Sequence, residues 1–178
     1  MSQFTAPLLV TPLDDGKTWI IVTDDFRYDV GTEGSGDTVT VPQWMSTDFA
    51  SVPRLVWWFA APWGRHGHAA VIHDAGYYLQ DRTRAEYDRI FLEAMVVLGV
   101  GRFRRRAMYQ AVHWFAGLAW RANARRNAEE PGWKLHDPAL LGLSPVTSPS
   151  TELEHQREEA PAVHQSTKAV QAARDTGS

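Results

Sequence analysis

Hydrophobic and polar positions divide the chain into a strand-like first quarter, a helical middle and a polar end. Thr18-Trp19-Ile20-Ile21-Val22-Thr23 is a β-branched run behind an Asp14-Asp15-Gly16 turn. Phe26-Arg27-Tyr28-Asp29-Val30 alternates with period two. After a glycine-rich turn over 31–37, Thr38-Val39-Thr40-Val41 alternates again and stops at Pro42. The spacing predicts a small antiparallel β-meander over 5–45. Prolines and glycines make 46–66 an ordered loop, with a short helical turn at 54–60.

The period then lengthens to that of helices. The first helix is expected over 67–79, around Ala69-Ala70-Val71-Ile72. The second is expected over 83–98, opened by a Thr83/Glu86 capping box and ended by Gly99. Its positions Tyr87, Ile90, Phe91, Ala94, Met95 and Leu98 recur at helical spacing. The third is expected over 102–127, with Ala107, Ala111, Trp114, Phe115 and Leu118 on one face. The fold class is therefore α+β, a meander followed by a three-helix bundle. The single domain is placed at 1–133, with its helices over 67–127. A linker and disordered tail follow over 134–178, since 144–178 has no aromatic residue and cannot bury enough apolar area to offset its chain entropy.

Composition narrows the chemistry. Cysteine is absent, which excludes disulfides and thiolate metal sites. No stretch approaches the ~18 apolar residues of a membrane span, and Met1 to Pro7 lacks the features of a signal peptide. The chain reads as cytoplasmic, or as part of an assembly made there. Eight tryptophans need a core or an interface. The net charge of −3 hides a basic segment: from Arg102 to Ala128 there are seven arginines and no Asp or Glu. That segment suits an anionic lipid surface, and nucleic acid less, because no reading motif accompanies it. A solvated helix face is the plainer interpretation.

Three stretches could carry chemistry: Thr47 to Pro53, His73-Asp74-Ala75-Gly76-Tyr77, and Arg84 to Phe91. His73 and Tyr77 share a helix face at i, i+4. A helical hairpin would bring Asp88 to His73. A carboxylate on one imidazole nitrogen fixes the tautomer and leaves the other as a general base. Asp48 and Asp74 would be hard oxygen donors nearby, suited to Ca²⁺ or Mg²⁺. The same residues could instead form a buried bracing network without catalysis. His66 and His68, with His73 and Asp74, are a weaker candidate for a transition-metal site.

These stretches resemble an uncharacterised domain family found widely in tailed-phage and prophage genomes. The shared pattern is Thr-Asp-Phe-Ala-Ser-Val-Pro-Arg (Thr47 to Arg54), His-Asp-x-x-Tyr (His73 to Tyr77) and Arg-x-x-x-Asp-x-x-Phe (Arg84 to Phe91). The resemblance implies a phage or prophage origin but no established activity, and hence the host cytoplasm or a virion as location, with phage structural proteins as partners. His73-Asp74-x-x-Tyr77 with Asp88 on the following helix also resembles the small secreted phospholipases A2. That likeness implies His73 as general base, Asp88 as its partner and Tyr77 as the residue holding Asp88. It further implies a calcium ion held by Asp48, the Phe49 carbonyl and Asp74. Those enzymes are disulfide-bonded, and this chain has no cysteine.

Overall fold

A computed structural model describes residues 3–48 and 66–143. The fold is α+β: six short antiparallel strands precede three helices. The strands are β1 (Gln3–Phe4), β2 (Val10–Pro12), β3 (Trp19–Ile21), β4 (Arg27–Asp29), β5 (Thr38–Thr40) and β6 (Ser46–Thr47).

They make two three-stranded sheets, β1-β4-β5 and β2-β3-β6, where the sequence reads as one meander. The break falls between β3 and β4, at Thr23. Its hydroxyl accepts the Leu9 N–H at 2.8 Å and donates to the Pro7 carbonyl at 2.9 Å. These bonds tie the chain to the β1–β2 connection and turn it out of the first pairing. Tyr28 pairs with both Phe4 and Val39, so one sheet spans residues distant in sequence.

The helices are α1 (Gly67–Leu79), α2 (Arg84–Val97) and α3 (Arg102–Glu129). α2 starts at the expected capping box: Thr83 accepts from the Glu86 N–H, and Glu86 accepts from the Thr83 N–H at 2.8 Å. It ends at Gly99, whose φ of 68° lets Val100 N–H reach back to the Met95 carbonyl at 2.9 Å.

Helix α1 ends differently. Its terminal carbonyls are satisfied across the bundle by polar side chains of α3: Asn123 donates to Tyr77 O at 3.0 Å and Asn127 to Tyr78 O at 2.6 Å. Gln80, with φ 54°, closes the helix through its own N–H to Gly76 O, and its side chain donates to Trp120 O.

One core joins sheets and helices, from Phe26, Tyr28 and Val39 through Ile72, Tyr77, Phe91 and Met95 to Met108 and Val112. Glu93 fastens α2 to the strands, accepting from the Tyr28 hydroxyl and the Gly31 N–H, both at 2.9 Å. α3 buries Met108, Ala111, Val112 and Ala116. Of the five positions grouped on one face, Ala111 is buried, whereas Ala107, Trp114, Phe115 and Leu118 point to solvent. The inner side combines Met108, Val112 and two alanines with Trp120, whose ring stands edge-on to Tyr77 of α1.

After α3 the chain returns to the strands. Ser46 N–H donates to Lys134 O at 2.7 Å, and Met45 bridges Leu135. No helix among the described residues is long and apolar enough to cross a membrane. Residues 144–178, and the Trp57-Trp58-Phe59 and Trp63 group, lie outside the described residues.

Candidate functional site: a buried carboxylate–imidazole pair on a helical hairpin

The short 80–83 link folds α2 back on α1, so the last turns of α1 meet the first turns of α2. His73 and Tyr77, one turn apart, face Asp88. His73 Nε2 lies 3.2 Å from Asp88 Oδ1, and the Tyr77 hydroxyl donates to the same oxygen at 2.7 Å. The imidazole is packed against the rings of Tyr77 and Phe91, at centroid distances of 4.1 and 4.9 Å. His73 is 4% exposed and Asp88 0%.

Gly76 makes this approach possible. The Tyr87 ring occupies the space where a Cβ of residue 76 would stand. Tyr87 in turn donates its hydroxyl to Asp81 in the link.

Burial pushes the Asp88 carboxyl up, but hydrogen bonds from His73 and Tyr77 and the charges of His73 and Arg84 outweigh it and hold it below its ordinary value. Asp88 is therefore ionised at neutral pH. Burial and the Asp88 bond push the Tyr77 hydroxyl well up, so it stays a donor. With Nε2 donating to Asp88, the lone pair of His73 sits on Nδ1.

Asp88 Oδ2 is buried and has no hydrogen bond. Two nitrogens stand just beyond bonding distance: Arg84 Nη1 at 3.6 Å and His113 Nδ1 at 3.9 Å. Arg84 is held by donating to the His113 carbonyl at 2.9 Å. The i, i+4 spacing of Arg84 and Asp88 was visible in the sequence. His113, from the middle of α3, was not.

Asp74 faces another way. It is buried, and Thr47 donates to its Oδ2 at 2.6 Å. Burial raises its carboxyl; the Lys134 charge opposes this, Asp48 adds to it, and Thr47 and His73 oppose it, with a net rise. Thr47, Asp48 and Lys134 line one cavity of about 320 Å³, with Trp133 and Arg126 beside them. Sequence reasoning missed Lys134, a nearly buried cation acting on the carboxylate proposed as a metal ligand.

The expected calcium donors are thus brought together in part. Asp48 and Asp74 act on one another electrostatically, and Phe49 lies outside the described residues. No group of three or more His, Cys, Asp or Glu among the described residues is arranged to hold a metal ion. Calcium takes about 6–8 oxygens, and two carboxylates sharing the field of Lys134 do not by themselves meet that need. His68 packs as an aromatic against Phe4 and Phe26, at 5.4 and 5.6 Å, and burial lowers its pKa.

Residues 20–112 match a family described as a protein of unknown function (DUF1353). The match takes in Asp48, His73, Tyr77, Asp74 and Asp88 and ends one residue before His113. No curated protein and no solved structure matches the chain.

Proposed function

Because the chain belongs to the DUF1353 family, whose description states no activity, we propose a function from the site itself: a phage-encoded, hydrolase-like domain in which His73 is the general base for ester hydrolysis. The observation that carries this reading is the convergence of His73 and Tyr77 on one oxygen of a buried, ionised Asp88. That arrangement places the imidazole proton on Nε2 and aims basicity at Nδ1. In the proposed step Nδ1 takes a proton from water, and the oxygen attacks the ester carbonyl carbon. Collapse of the tetrahedral adduct breaks the carbon–alkoxide bond, and the alkoxide recovers the proton from His73. Asp88 stabilises the imidazolium between the two transfers, and Tyr77 fixes Asp88.

The finer form of the proposal has phospholipid as substrate and calcium at Asp48, Asp74 and the Phe49 carbonyl. Bound there, the cation would polarise the ester carbonyl. Calorimetric titration of wild type and Asp74→Ala side by side tests this. Saturable binding lost in Asp74→Ala supports it, and no heat from either folded protein removes it.

A second reading is favoured by the burial of His73: the same bonds only brace α1 against α2, in a structural or accessory protein of a tailed phage. A panel of chromogenic short-chain esters and phospholipid vesicles separates the two. The hydrolase reading expects turnover that falls about 10²–10⁴-fold in His73→Asn, with circular dichroism unchanged. Absence of turnover by the wild type on the whole panel, together with a lowered melting temperature of His73→Asn, would leave the bracing reading.

A further inference from the structure

Helix α3 turns several large apolar side chains away from the core. Phe103 is 93% exposed, Leu118 77%, Trp114 72% and Phe115 57%. At 100° per residue, Phe103, Trp114, Leu118, Arg121 and Arg125 fall within about 60° of one another, across the helix from Met108, Val112 and Ala116. The outward face is therefore an apolar stripe with arginines at its end, and Arg102 and Arg106 flank its start. Beside that start, Arg102, Phe103, Arg106, Tyr109 and Leu92 line a cavity of about 540 Å³.

Charge decides what fits this face. Residues 102–128 hold seven arginines and no acid. A second copy docked through the same face, parallel or antiparallel, would set arginine against arginine. A nucleic acid would satisfy the arginines but leave Phe103 and Leu118 without an apolar partner. A bilayer surface bearing anionic headgroups satisfies both: Trp, Phe and Leu enter the acyl boundary while Arg remains among the phosphates.

We propose that α3 is a membrane-docking face, laying Phe103, Trp114 and Leu118 into an anionic bilayer with Arg102, Arg106, Arg121 and Arg125 on its phosphates. The basic, aromatic cavity at the start of α3 takes one phosphodiester headgroup. Docking does not depend on His73. That docked lipid is also the substrate rests on the hydrolase reading.

The test is co-flotation of the full chain with vesicles of phosphatidylcholine alone and with about one third phosphatidylglycerol added. The expected result is binding to the anionic vesicles that weakens as salt rises. Arg121→Gln/Arg125→Gln should bind about thirtyfold more weakly, each charge near the surface contributing roughly fivefold. Trp114→Ala/Leu118→Ala should lose about tenfold or more. Arg27→Gln, on β4 and away from this face, should bind like wild type. These side chains are exposed, so circular dichroism should not change.

His73→Asn should float like wild type even where ester turnover is lost, which keeps failure of the docking face separate from failure of the hydrolase reading. Three results would overturn the proposal. One is no flotation with anionic vesicles. Another is flotation indifferent to both α3 double variants. The third is binding to a single-stranded oligonucleotide, lost in those variants, without vesicle binding.

Discussion

Gly76→Ala should destabilise the protein, although alanine is the better helix former. Gly76 lies in the last turns of α1, between His73 and Tyr77. A Cβ there would fall well inside 3.0 Å of three ring carbons of Tyr87, a residue that is itself buried. Ordinary carbon contacts need about 3.5–4.0 Å. Either the two helices must part or the Tyr87 ring must leave its site.

Parting the helices overpacks the core, at about 1–3 kcal/mol or more. Expelling Tyr87 forfeits about 1.5–3 kcal/mol of burial and its bond to Asp81. Against this, alanine gains up to about 1 kcal/mol in a helix. The net loss should be about 2 kcal/mol, or a fall in melting temperature of roughly 8 °C for a domain of this size. Gly117→Ala in α3 is the control. The same exchange there meets only the Arg84 guanidinium, at 4.0 Å, and should be neutral or stabilising by up to about 1 kcal/mol.

Urea denaturation of both variants measures the difference. Adding Tyr87→Leu to Gly76→Ala should recover part of the loss, so that the double variant costs less than the sum of the singles. A Gly76→Ala protein as stable as wild type would falsify the close approach of α1 and α2 on which the His73–Asp88 distance depends.

Three further expectations concern charge and capping. Asp74 is raised in the folded state, so the folded protein holds its proton more tightly than the unfolded chain. Its contribution to stability is fully present below the unfolded value of about 4 and lost as pH rises through the folded value; Asp74→Asn, which can still accept from Thr47, should remove that slope in urea midpoints taken across this range. Asp88 is lowered and has the opposite sign: its contribution is present above about 4 and lost as pH falls through its folded value, so Asp88→Asn should flatten the acid end of the same curve. Thr83→Ala removes the cap of α2 and should cost about 1 kcal/mol, read by thermal melting; an unchanged melting temperature would contradict the capping geometry.

Helix α2 was the most legible because it carries its own signals: a capping box at Thr83, a left-handed glycine at 99, and a 3.6-residue period between them. The strands were only half legible. β1, β2 and β6 lie outside the alternating runs, and the pairings that make two sheets are long-range, Phe4 with Tyr28 and Ser46 with Ile20. The inner face of α3 was not legible for a physical reason. Apolar periodicity shows that a helix is amphipathic, but not which of two apolar stripes faces the core. Here the stripe of Met108, Val112 and Ala116 is buried, and Trp114 and Leu118 are left outside.

The same distinction separates the legible from the hidden parts of the site. His73, Tyr77 and Asp88 belong to one hairpin, and helical spacing with a short link is enough to bring them together. Lys134 reaches Asp74 only because the chain after α3 returns to pair with Met45 and Ser46, a long-range event with no local signal. Two carboxylates on adjoining helices have opposite characters. Asp88, served by His73 and Tyr77 and faced by Arg84, is held ionised. Asp74, buried beside Asp48 with Thr47 as its donor, is pushed toward its neutral form despite Lys134. Groups whose surroundings drive their pKa values apart are suited to different tasks. The ionised one orients an imidazole. The other, one residue along from that imidazole, accepts from Thr47 of β6 and lies in the field of Lys134. A change at Asp74 can therefore reach His73, and through it the Asp88 pair, by way of the backbone of α1.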